Sequence, residues 1–76
     1  FSVFPNPTAG PVTVSFGEAL PSGAVLRITD AVGKLVVEER IQRSPTIVRI
    51  ATGPGVYQLT LVTGEQRSSR LVAVTD

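Results

Sequence analysis

Apolar and polar positions alternate along most of this chain, and no window carries a convincing 3.6-residue period. Val12-Thr13-Val14-Ser15-Phe16 predicts a strand with Val12, Val14 and Phe16 on one face. Residues 24–30 repeat the pattern, with Ala24, Leu26 and Ile28 pointing one way and Val25, Arg27 and Thr29 the other. Residues 34–40 predict a returning strand with Leu35 and Val37 inward and Glu39 on the same parity. Residues 46–50 give a short strand that places Val48 and Ile50 together. The best alternation runs over 55–62, where Tyr57, Leu59 and Leu61 share a face. Residues 65–74 close the set. Their last four, Leu71-Val72-Ala73-Val74, form an unbroken apolar run that predicts burial on both faces and leaves the register open.

The breaks between these runs carry turn chemistry. Asp30-Ala31-Val32-Gly33-Lys34 reads as a hairpin loop: aspartate bonds the backbone ahead of it, and Gly33 takes a positive φ at little steric cost. A type I turn with a glycine bulge fits that spacing. Residues 42–45 are polar and end in Pro45, Ala51-Thr52-Gly53-Pro54-Gly55 is a tight connection, and Thr63-Gly64 turns the last hairpin. Pro5, Pro7 and Pro11 crowd the first connection, which must therefore be an edge or a crossover, because proline donates nothing to a ladder. With an extended stretch over 1–5, about seven short strands emerge. Their spacing predicts an all-β fold, a small Ig-like antiparallel β-sandwich, with a single curled sheet or small barrel as the alternative.

Composition narrows the chemistry sharply. Seventy-six residues make one small domain, which on usual scaling buries only about 60% of its unfolded surface. There is no cysteine, hence no disulfide, thiolate metal site or cysteine nucleophile, and no histidine, the commonest general base and transition-metal ligand. Seven basic and six acidic residues leave a formal charge of +1 with no basic run, so nothing suggests a nucleic-acid partner. No apolar stretch approaches the roughly 20 residues of a membrane span, and no membrane insertion is expected. The opening Phe-Ser-Val-Phe carries neither an initiator methionine nor a leader pattern, so the expectation is a domain cut from a longer precursor.

Each route to catalysis fails on inventory. Ser2, Ser15, Ser22, Ser44, Ser68 and Ser69 would need a lysine base, and Lys34 in a hairpin is a solvated lysine. The carboxylates are Glu18, Asp30, Glu38, Glu39, Glu65 and Asp76. Glu38 and Glu39 are strand neighbours facing opposite ways, and Asp30 is a turn former. No loop clusters oxygen ligands for calcium, and Gly53-Pro54-Gly55 precedes no helix that would cradle a phosphate. The expected inventory is no catalytic residue, no metal and no cofactor. Tyr57, inward on a late strand, is expected to bond a backbone carbonyl at a corner. Arg27, Arg49, Arg67 and Arg70 lie on strands, either as a basic sheet face for an anionic partner or as ordinary solvated positions.

Four features stand in a telling order: Pro5-Asn6-Pro7 behind an apolar-aromatic pair, Leu26-Arg27-Ile28-Thr29-Asp30 running on to Gly33-Lys34-Leu35-Val36, Gly55-Val56-Tyr57 opening a strand, and Arg70-Leu71-Val72 in the terminal one. Asn6, lying before Pro7, is held extended, and the two prolines fix their own φ, so the opening is a stiff elbow. Together, over residues 4–74, these features resemble the C-terminal sorting domain, type A, of the type IX (Por) secretion system of Bacteroidetes-type bacteria. The family's last strand is usually lysine-rich, whereas this one carries Arg67 and Arg70, and Thr75 and Asp76 follow the last apolar residue.

The resemblance implies a non-catalytic Ig-like address, residues 1–76, attached to an N-terminal cargo. It implies transit through the periplasm, recognition by the outer-membrane translocon, and removal by a surface sortase at the cell surface or outside. Its motif positions here are Pro5, Asn6, Pro7, Gly33, Gly55, Tyr57, Arg70, Leu71 and Val72. Residues 70–74 are the expected read element, and weak self-association through an edge strand is a further expectation. The competing readings are an Ig- or fibronectin-like binding module retained on a secreted protein, and a structural spacer.

Overall fold

A computed structural model of the chain describes residues 1–16 and 24–75. Glu18, Ser22 and Asp76 lie outside the described residues. Seven strands follow one another: β1 (Ser2–Phe4), β2 (Pro11–Ser15), β3 (Val25–Thr29), β4 (Leu35–Arg40), β5 (Thr46–Arg49), β6 (Gly55–Thr63) and β7 (Gln66–Val74). They form two sheets, one ordered β1-β2-β5 and the other β4-β3-β6-β7, with every strand pairing antiparallel. This is the small all-β sandwich of seven strands that the alternation predicted, not a single curled sheet.

The inward faces are the ones the period-2 pattern selects. Val12 and Val14 of β2, Leu26 and Ile28 of β3, Tyr57, Leu59 and Leu61 of β6, and Val48 and Ile50 at β5 all join one buried cluster. Phe16 packs against this cluster but stays partly open. Full burial of an aliphatic side chain contributes about 1.5–3 kcal/mol, and β2 and β3 supply four that are completely enclosed. Ile41 is also in the core; it follows β4, and its N–H donates to the Ala24 carbonyl at 3.0 Å.

Two expectations require correction. Leu35 points outward and is exposed, because a register shift between Ile28 and Thr29 pairs Val37 with Ile28 but Leu35 with Thr29. The bulge inserts one residue into β4 and moves Leu35 to the opposite face. The terminal run is not buried on both sides either. Val72 and Val74 face the core, whereas Leu71 is 65% exposed, because nothing among the described residues covers the outer face of its sheet there.

The hairpin between β3 and β4 forms as its residues dictate. Gly33 donates its N–H to the Asp30 carbonyl at 3.0 Å, and its φ is +88°. One carboxylate oxygen of Asp30 accepts from the N–H groups of Val32 and Lys34 at 3.0 and 2.9 Å. These bonds close the turn and hold Gly33 at its positive φ.

A clasped terminal strand as the candidate functional site

β7 is an edge strand, so one row of its backbone groups has no neighbouring strand to pair with. The segment joining β1 to β2 covers half of that row. Thr8 donates its N–H to the Ala73 carbonyl at 2.9 Å, and its own carbonyl accepts the Thr75 N–H at 2.8 Å, forming a short parallel bridge. The residues just before Thr8 cannot continue this ladder through their backbone, because Pro5 and Pro7 have no N–H. The side chain of Asn6 takes over. Its Nδ2 donates to the Leu71 carbonyl at 3.1 Å, and its Oδ1 accepts the Ala73 N–H at 3.0 Å. A carboxamide carries one donor group and one acceptor with the geometry of a peptide, so Asn6 stands in for a strand residue between two prolines.

Thr8 is fixed in turn. It is 3% exposed, its hydroxyl donates to the Pro11 carbonyl and accepts the Gly10 N–H at 3.2 Å. The elbow therefore starts in one sheet as β1 and finishes on the edge of the other. Phe1 also reaches β7: the Arg70 guanidinium lies over the Phe1 ring, 5.2 Å from its centroid. Cation–π contacts of this kind at exposed sites contribute about 0.5–1 kcal/mol.

Most of the motif positions converge here. Pro5, Asn6 and Pro7 lie along the edge that Arg70, Leu71 and Val72 build. Gly55 opens β6 opposite Val74, and Tyr57 sits opposite Val72. The Tyr57 hydroxyl donates to the Gly53 carbonyl at 2.7 Å and lies 2.9 Å from the Thr52 hydroxyl, so the ring is anchored at a corner as its position on the strand predicted. Gly33 is not brought to the clasp and serves its hairpin. Thr8 is the participant that sequence reasoning missed; its signal was a hydroxyl one step beyond Pro7, where the backbone first regains a donor.

The arginines do not form one basic face. Arg27 pairs with Glu38 at 2.7 Å across the outer face of the larger sheet, which Arg67 shares, whereas Arg49 lies on the smaller sheet. Ser44 is occupied with the backbone of Phe16, and Ser69 with the Thr60 hydroxyl. Among the described residues no three acidic or metal-ligating side chains gather, and no buried side-chain polar atom lacks a partner.

Fold and site thus define a small all-β domain whose N-terminal elbow is hydrogen-bonded onto its terminal strand. The chain belongs to the family described as secretion system C-terminal sorting domain, which it matches over residues 2–75. That family membership makes it a sorting signal of type IX secretion, acting with that machinery on an attached cargo destined for the cell surface or the exterior. No curated protein matches the chain significantly.

Proposed function

We propose that residues 1–76 act as a single removable address with no chemistry of their own. The outer-membrane translocon reads the folded domain after periplasmic transit, and a surface sortase then severs it from an N-terminal cargo. The cut falls at or before the N-terminal edge of this domain. The observation that carries the reading is the clasp. Asn6 and Thr8 tie the segment that follows β1 to β7, which supports a reading in which the N-terminal side of the domain and the strand proposed to be read are presented together. A receptor that serves many cargoes needs such a cargo-independent shape.

A retained sugar-binding module would want an aromatic face. Tyr57 is buried, Phe1 and Phe16 pack on the core, and Phe4 alone among the aromatics is an exposed large side chain. The test is a secreted reporter fused to this domain. Deleting residues 70–76 is expected to leave the reporter in the periplasm, but it also removes Val72 and Val74 from the core. Leu71→Ser therefore accompanies it, since Leu71 is exposed and the fold should persist. Normal surface display of the deletion fusion would sink the reading, and intact mass of the displayed reporter tests removal of the domain.

A further inference from the structure

The clasp covers only half of the β7 edge. Ala73 offers both its N–H and its carbonyl to the elbow, so odd-numbered positions of β7 aim their backbone away from β6. Residues 67, 69 and 71 continue that row. Among the described residues, the Arg67 N–H and carbonyl and the N–H groups of Ser69 and Leu71 meet no partner. The Ser69 carbonyl is held only by the Arg70 side chain, whose Nη1 donates to it at 2.8 Å. Beside this stretch is a recess of about 310 Å³ lined by Gln58, Ser69, Arg70 and Leu71.

We propose that residues 67–71 receive an extended acidic segment of a partner protein as an added strand. Backbone pairing supplies the attachment and alternate side chains supply the selectivity, as in other strand-addition complexes. Arg67, Ser69 and Leu71 project from the outer face of the sheet, and Ser68 and Arg70 from the opposite side. Arg67 and Arg70 are both exposed, and Arg27–Glu38 is the one ion pair among the described residues, so neither has a carboxylate partner there. An incoming carboxylate opposite Arg70 would draw its guanidinium off the Ser69 carbonyl and free that acceptor for the new ladder. An apolar residue opposite Leu71 would cover a side chain that is 65% exposed. An antiparallel segment therefore reads apolar, acidic, two polar residues, acidic.

A second copy fits less well. Antiparallel pairing about Ser69 sets the two Arg70 side chains on a diagonal, roughly 7–8 Å apart, where like charges repel. An inward-side charge on an edge strand is a known guard against self-pairing. The proposal rests on the address reading for the identity of the partner, whereas the surface and its chemistry stand on the geometry alone.

The test titrates this domain, amide-labelled for NMR, with a capped peptide containing Val-Glu-Thr-Thr-Glu. Protection and downfield shifts are expected at the Arg67, Ser69 and Leu71 amides. The neutral analogue Val-Gln-Thr-Thr-Gln should bind about tenfold more weakly, from two exposed charge pairs. Val-Glu-Pro-Thr-Glu keeps the charge but not the ladder, and should bind without protecting those amides. Arg67→Ser with Arg70→Ser should abolish the difference between acidic and neutral peptides; both sites are exposed, and an unchanged far-ultraviolet spectrum checks the fold. Equal binding of the neutral peptide, shifts confined to another face, or self-association in place of peptide binding would each overturn the proposal. Failure here with intact export of a reporter leaves the address reading standing, whereas peptide binding with export indifferent to the domain overturns the address instead.

Discussion

Oδ1 of Asn6 accepts the Ala73 N–H at 3.0 Å across a separation of 67 positions in sequence. The same carboxamide donates to Leu71, so one side chain satisfies two groups of an edge that two flanking prolines leave without backbone donors. Removing it as Asn6→Ala should cost about 1 kcal/mol, from two exposed hydrogen bonds. Urea unfolding measures the loss, and hydrogen exchange localises it. The Ala73 amide should exchange much faster in the variant; an Ala73 amide as protected as before would show that the clasp does not depend on Asn6. Asn6→Asp keeps the acceptor but sets a carboxylate against the Leu71 carbonyl, so the Ala73 bond should survive while stability still falls.

Tyr57→Phe removes a buried hydroxyl that bonds Gly53 and Thr52. The ring still fills its place in the core, but the Gly53 carbonyl loses its donor. A destabilisation of about 1 kcal/mol is expected, seen as a lower urea midpoint at unchanged slope.

Leu59 and Ile47 separate burial from hydrophobicity. Leu59 is completely enclosed, and Leu59→Ala should cost about 2–5 kcal/mol, enough to unfold much of so small a domain. Ile47 is 73% exposed on β5, and Ile47→Ser should stay within about 0.5 kcal/mol of the parent. Thermal melts of the pair decide the matter, since comparable losses would mean that the outer face of β5 is covered.

Asp30→Ala withdraws the carboxylate oxygen that holds two N–H groups in the first hairpin. A loss of about 1 kcal/mol is expected, with faster exchange at Val32 and Lys34. Asp30→Asn should restore most of it, because a carboxamide oxygen accepts in the same place.

How far the fold could be read from the chain depended on whether a local rule was at work. Alternation placed Leu26, Ile28, Tyr57, Leu59 and Leu61 inward, because a strand's side-chain period is two and one face met water. The Asp30–Gly33 turn was readable because its bonds close within four residues. Leu35 was misplaced because a bulge changes parity without leaving a compositional mark. Leu71 was misplaced because an apolar run does not say which of its members a facing sheet will cover. The candidate site was half legible. Pro5-Asn6-Pro7 announced a stiff elbow, but that Asn6 reaches β7 is a contact between distant positions, which no local pattern encodes.

That distance has a kinetic consequence. The β6–β7 and β3–β4 hairpins close over short loops, whereas seating Asn6 on β7 closes a loop 65 positions long to Leu71. Entropy makes such closures late events, taken up once local pairs have removed most of the chain's freedom. The clasp should therefore form last, and only on a chain whose final strand is already in place. A product cut short before β7 would carry an elbow with nothing to grip. The contact is therefore available only to a domain whose last strand is in place.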